Sequence, residues 1–525
     1  MSTRLSLLAV LLLACSPVGS GGSRPSGRFS DFPQGATAAG DVYPGAVSAI
    51  SLAFSSSPQG PAGGPCISEP TFGAMYPMNF TPPHFEWVAD ASQNIFELRL
   101  VVDNQMNELM VYTNRSDYTM ASDVWANLAK DSSDHDIRIS IRGARLEENN
   151  TLPGGSFLGS VGNVHIAPAS ADGTIVYWTT APNVALKGFH IGDADAPRTV
   201  ISPEMITSAG RATNCIGCHT ASPDGRLAFF GRQLPTYAVD ARLLNTGEAA
   251  AASQVTSNAS AYLTRQDQNT PALSRAHYSD SDAVVITNLN HADTSNNWEL
   301  VYTDLRATSG GTGILARIGD PNKPAMPTWS HDGNTIVYTS STVVFNARLD
   351  VGNADLWSIP YGNRNGGNAS PVPGVNDPAS NQFYPAYSPD DAMLAFNRIP
   401  RGGNMYNAPA DEVWVATGKG GEPVRVLAND PPTCTALKSP GLTNSWPRWA
   451  PSTQTVAGKK YYWLVFSSKR RALINPANPP QLYLGAVVVD VSGAITTYPA
   501  IYITTQPPAE SNHTPAWENF VISAG

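Results

Sequence analysis

The sequence predicts an all-β protein: a β-propeller of about six blades preceded by a small immunoglobulin- or fibronectin-like β-sandwich. Three observations predict it. Short apolar runs of alternating or β-rich character recur along the whole chain. Gly and Pro are abundant, 44 and 43 of 525 residues, as many tight turns between short strands require. From His165 onward a repeat returns at spacings of roughly 50–70 residues, which is blade size once loops are added.

The N-terminus sets the compartment. In "MSTRLSLLAVLLLACS" Arg4 is a positive n-region, and residues 5–13 are an apolar run too short to cross a bilayer. Leu12-Leu13-Ala14-Cys15 resembles a bacterial lipobox, which implies lipidation of Cys15 and removal of the preceding residues. The alternative is an ordinary secretory signal with an incidental cysteine. Residues 1–15 are therefore read as a lipoprotein signal, and the chain as exported and membrane-anchored, in the periplasm or at the outer membrane. Ser16 favours the outer membrane by analogy with enteric sorting. Residues 16–65, rich in Gly, Ser, Pro and Ala, are expected to be a flexible tether with a reach of roughly 40 Å.

The sandwich is placed at residues 66–164. "PHFEWVA", "NIFELRLVV", "NELMVYTN" and "DIRISIRGARL" are strands, with Trp87, Phe96, Leu98, Leu100, Val111 and Ile139 facing one core. "MASDVWANLAKDS" is a short helix or a loop. Of the five cysteines, Cys66 and Cys434 either form a disulfide, which export permits, or remain two thiols; spacing leaves both open.

The propeller occupies residues 165–525. "APASADGTIVYWTT", "HTASPDGRLAFFGR", "AHYSDSDAVVITNL", "PTWSHDGNTIVYTS", "PAYSPDDAMLAFNR" and "PRWAPST" followed by "YYWLVFSSKR" each join a polar turn to an apolar strand. The Asp and Gly of these turns serve hairpins, since Asp caps its own turn and Gly takes positive φ. "HTPAWENFVIS" supplies one more strand near the C-terminus, expected to pair with the first blade and close the ring. These repeats resemble the TolB-like propeller family over residues 165–523. On "IVYWTT", "LKGFHIGD" and "CIGCHTASPDG" the chain also looks like predicted exported lipoproteins with a haem-type motif inside such a propeller. That resemblance implies the fold and leaves the function open.

Cys215-Ile216-Gly217-Cys218-His219 carries the chemistry. Two thiols at this spacing add to the haem vinyl groups, and the adjacent histidine reaches the iron. The same cysteines read otherwise as a disulfide, a redox dithiol or part of a metal site. Unlike small c-type cytochromes, no helical domain surrounds the motif. Aligned with Trp329, Tyr387, Trp449 and Trp517 at the start of other blades, Ala221 falls in the same place. The motif then lies in a loop at the channel mouth, where the small Ala221 leaves room for a porphyrin. Loops of that kind also supply candidates for the second axial position, His513 first and then His277 and Met326.

Two functions follow. One is a haem c protein in electron transfer or redox sensing with an envelope or redox partner. The other is a non-enzymatic interaction scaffold in which Cys215 and Cys218 form a structural disulfide. A formal charge of −9 with only 14% charged residues excludes a general nucleic-acid binder. No G-x-S-x-G or H-E-x-x-H motif is present, so the sequence offers no catalytic residues.

Overall fold

The computed structural model describes residues 29–57, 59–208, 216–217, 219–231, 236–240, 254–265, 268–291, 297–344, 349, 352–471, 479–520 and 522. Cys15, Cys215 and Cys218 lie outside the described residues.

Six sheets among the described residues form the blades. Blade 1 runs outward from Asn512–Glu518 through Thr174–Thr179 and Ala185–His190 to Arg198–Ile201. Blade 2 holds Thr220–Ala221, Leu227–Gly231 and Thr236–Asp240, and blade 3 begins with Gln268–Tyr278 followed by Ala283–His291. Blades 4, 5 and 6 begin with Lys323–Trp329, Ser380–Tyr387 and Ser445–Trp449. From blade 3 to blade 6 successive inner strands touch, Gln268–Tyr278 meets blade 2 through Leu227–Gly231, and Asn512–Glu518 contacts both Ser445–Trp449 and Thr220–Ala221, so the ring closes. Its antiparallel pairing with Thr174–Thr179 sets Trp517 opposite Ile175 and His513 opposite Trp178. Closure covers the edge that the first blade would otherwise expose.

Strands inside a blade are covered on both faces by neighbouring blades, and their burial does not alternate. Ser380–Tyr387 is buried at every position, as is nearly all of Gln481–Val489. The hairpin turns follow a Ser-x-Asp rule. Ser222, Ser330 and Ser388 donate to Asp224, Asp332 and Asp390 at 2.5–2.6 Å, and each Asp also accepts a backbone N–H two residues on. Gly225 and Gly333 then adopt φ of 69° and 78°. In blade 5 Asp391 takes this role at φ 58°, and its carboxylate accepts the N–H groups of His331 and Asp332 in blade 4.

Ahead of the propeller, Cys66–Glu69, His84–Val88 and Asp117–Thr119 form one sheet. Leu109–Thr113, Ile95–Val101, Asp136–Ala144 and Ser156–Ile166 form the facing sheet, which completes the expected sandwich. Along Asp136–Ala144 the alternation is plain: Ile137, Ile139 and Ile141 point inward between Arg138 and Ser140. Each such isoleucine contributes roughly 1.5–3 kcal/mol by leaving water. The six predicted core residues from Trp87 to Ile139 are all buried in one cluster.

One expectation needs correction, and one open alternative is decided. Within residues 16–65, the segments Ala36–Ala39 and Gln59–Ala62 are strands that pair in parallel with Leu109–Thr113 and Ser156–Ile166. Val47–Ser56 between them is a helix whose Ile50 and Phe54 are buried beside Tyr112. This part of the expected tether belongs to the sandwich, because two apolar side chains suffice to dock a short helix that composition alone reads as coil. Ser122–Asp131 is likewise a helix, with Trp125, Leu128 and Ala129 buried.

Sandwich and propeller share one core. Val164, Ile166 and Phe85 fall in the same cluster as Tyr177 and Phe189 of blade 1 and Trp463, Leu482 and Leu484 of blade 6. Cys66 and Cys434 are joined by a disulfide across 368 residues, tying the sandwich to the connection between blades 5 and 6.

Candidate functional site

The inner strands share a feature that the repeat pattern did not reveal. Thr270, Met326, Tyr384, Trp446 and Thr514 have φ between 37° and 58°, and every one immediately precedes a proline. At each of these points the pairing register shifts, so each strand carries a bulge there. Left-handed backbone is costly for these residue types, and a following proline restricts them further. Such strain persists only where the surroundings over-determine it. In blade 2 the matching dipeptide is Cys218-His219, so the histidine of the haem-type motif stands where the other five blades have proline.

His219 is buried, 8% exposed. Its Nε2–H donates to the carbonyl of Val176 at 2.9 Å, beside the register shift between Val176 and Trp178 in blade 1. Nδ1 is buried without a partner. Burial pushes the imidazole down to about 4, so it is neutral near pH 7, the form that ligates metal. Ile216 is buried among Val176, Leu186, Ala228 and Phe230. Gly217 lies so close to Trp178 that an added Cβ would sit 3.1 Å from the indole.

Trp178 opens a row of rings on the inlet side, where the inner strands begin. His513 lies 6.4 Å from Trp178 and 5.6 Å from Trp446, and Trp446 stacks on Tyr384 at 5.8 Å. Met326 packs against the cluster that holds Tyr384 and Trp446. Desolvation between the two tryptophans pushes His513 down to about 4 as well, with Lys469 adding to the effect, and its Nε2 meets the Ser511 hydroxyl at 3.0 Å. Two of the three candidates for the second axial position, His513 and Met326, thus stand with Gly217 and Trp178 at one end of the channel.

His277 does not. It stacks on Trp329 at 5.0 Å and meets Asp282 of its own hairpin turn at 2.7 Å, which places it at the turn end of the blades. The bulge and proline of blade 3 are Thr270-Pro271, seven residues earlier, because its inner strand is extended. The resemblance of "AHYSDSD" to the other blade starts concerns the turn alone.

The turn end opens as a funnel of about 180 Å³ lined by all six blades, among them His219, Trp329, Tyr387, Arg448, Trp449 and Glu518. Ordinary small-molecule pockets measure roughly 300–1,000 Å³. The space that the small Ala221 leaves is taken by the Glu518 carboxylate, which accepts the Ala221 N–H and, at 2.5 Å, the Thr220 hydroxyl. Desolvation raises that carboxyl to about 7. Beside Ala221, where the sequence reading expects open room, the structure thus places a carboxylate. The described residues of the haem-type motif face both ends: His219, with its unpartnered nitrogen, lines the funnel, and Gly217 packs on Trp178, the first ring of the inlet-side row.

Trp178, Tyr384, Trp446 and Glu518 were missed by the sequence reading. The usable signals were the residue before each blade proline, and the Glu that stands where the blade turns otherwise carry Ser or Ala. Among the described residues no group of three His, Cys, Asp or Glu could hold a metal ion, and no helix is long and apolar enough to cross a membrane.

No family model and no curated protein matches the chain. Among solved structures it is similar to a putative TolB from Agrobacterium tumefaciens, at 14% identity and TM-score 0.33 over 66% of this chain and 98% of that one. A hydrazine synthase of Kuenenia stuttgartiensis aligns at 13% identity and TM-score 0.28, over 55% of this chain and 95% of that one. A prolyl endopeptidase aligns at 14% identity and TM-score 0.33, over 63% of this chain and 41% of its own length. These likenesses concern the fold alone. On its own strand pairing the chain is an all-β, six-bladed propeller with an N-terminal β-sandwich.

Proposed function

We propose that the chain is an exported, lipid-anchored envelope protein that carries haem c on Cys215 and Cys218, with His219 on the iron. It would act in electron transfer or redox sensing with an envelope protein as partner. The observation that carries this reading is the residue that replaces the blade proline. Where five blades place proline, blade 2 places a buried, neutral histidine with an unpartnered ring nitrogen.

A bound haem would supply reversible one-electron chemistry. The chain's residues have separate tasks. His219 would hold the iron. Trp178, Trp446 and Tyr384 exclude water on the inlet side, and such an apolar setting favours the less charged, reduced state. His513 or Met326 would take the other axial position.

The test is the visible spectrum and intact mass of protein from a host with working cytochrome c maturation. A Soret band with α and β bands on reduction, and a mass increased by one haem that survives acid acetone, are expected. A mass equal to the bare polypeptide rejects the proposal.

The Cys66–Cys434 disulfide supports a second reading. If this chain's thiols oxidise, Cys215 and Cys218 would pair as well, and the propeller would serve as an interaction scaffold. A colourless protein without free thiols at those positions is its signature.

A further inference from the structure

A second cavity, of about 310 Å³, lies where the sandwich meets blade 6, away from the channel. Four side chains less than 6% exposed line it with polar atoms that have no partner: Glu69 Oε2, Trp87 Nε1, Arg470 Nη1 and Tyr483 OH. Two come from each side of the junction. Buried polar atoms are almost always satisfied, so these four orphans, with Arg471 Nε as a fifth on a less buried side chain, need an explanation.

The charges say what would satisfy them. Arg471 is neutralised by Glu86, in a two-pronged pair at 2.8 and 3.1 Å. Arg470 is not. Its other nitrogens donate to the Ala428 carbonyl at 2.7 Å, the Asn444 side chain at 3.1 Å and the Ser468 hydroxyl at 3.1 Å, all neutral acceptors. Its guanidinium lies 4.4 Å over the Tyr483 ring, and no ion pair among the described residues includes it. Glu69, the cavity carboxyl that acts on it through space, is itself pushed toward its neutral form by burial, so the guanidinium still calls for a counter-charge. Three of these four atoms are N–H or O–H donors, and the remaining wall includes Pro432, Leu437 and two carboxylates already paired, Glu86 with Arg471 and Asp117 with Arg115.

The geometry points to a binding site for a small organic carboxylate. Its oxygens would accept from Arg470 Nη1, Tyr483 OH and Trp87 Nε1–H, and its short apolar tail would lie against Pro432 and Leu437. The volume is at the lower end of small-molecule sites, which are roughly 300–1,000 Å³, so the ligand has few carbon atoms. Because the donors belong to both units, the occupied site would also fasten the sandwich to the propeller.

The mature full-length chain, freed of carboxylate buffers, is titrated with sodium butyrate by calorimetry and thermal unfolding. Sodium chloride, nitrate and sulfate at matched ionic strength are the comparison arms. Butyrate is expected to bind and to raise Tm with concentration, while the inorganic salts do not. Arg470→Met should weaken binding about tenfold or more, as loss of a charge-assisted donor does. As a check independent of the folding of that variant, Trp87→Phe and Tyr483→Phe, which each remove a single donor and retain an aromatic side chain, should each weaken it several-fold. No response to butyrate overturns the site. An equal response to nitrate or sulfate overturns the ligand class, and undiminished binding in both ring variants overturns the location.

Discussion

Glu69 offers a quantitative test of the junction. Its carboxyl is 5% exposed, with one oxygen unpartnered. Burial pushes it up from 4.5 to about 8, against the opposing pull of Arg471 and Arg470. Between these values the folded chain keeps the proton and the unfolded chain has lost it. Stability is therefore highest below pH 4.5 as far as this group is concerned, and it falls as pH rises toward 8. At 1.36 kcal/mol per pKa unit, the penalty is about 3 kcal/mol at pH 7 and just under ~1 kcal/mol at pH 5. Glu69→Gln keeps the shape and never ionises. It should gain about 3 kcal/mol at pH 7 and less than ~1 kcal/mol at pH 5. Urea unfolding at both pH values, in buffers without carboxylates, reads the difference as a shift in midpoint at constant slope. An equal gain at the two pH values, or a loss at pH 7, would refute the assignment of Glu69 as a buried neutral acid.

Three further outcomes are expected. Cys66→Ser should lower stability by about 2–5 kcal/mol in urea unfolding, since the lost cross-link closes a very long loop; an unchanged midpoint would mean that the shared core alone holds the two units. In the haem-loaded protein, His513→Ala should convert a low-spin spectrum to high-spin or admit carbon monoxide. A spectrum identical to the parent's passes the same question to Met326. Cys15→Ser should move the protein from the membrane fraction to the soluble one, and unchanged membrane association counts against the lipid anchor.

The strands, the turns and the number of blades were legible because they are written in local patterns. Period-two alternation set Ile137, Ile139 and Ile141 on one face, and Ser-x-Asp followed by Gly marked the hairpins. The single strand "HTPAW" near the C-terminus implied its own partner, because one strand cannot bury both faces alone. The Cys-x-x-Cys-His spacing was equally local, and it remains the basis for expecting haem. Tertiary structure decided the rest. That residues 36–62 belong to the sandwich depends on parallel pairing with strands about 70 to 100 residues away, which no window of sequence contains. His277 and His513 look alike beside their aromatic neighbours, yet an extended inner strand sends one to the turn end and leaves the other beside Trp178. Arg470 became a buried charge without an ion pair among the described residues only when a sandwich sheet closed over it. Burial and counter-charge are properties of what surrounds a side chain in space, and a sequence states only what precedes and follows it.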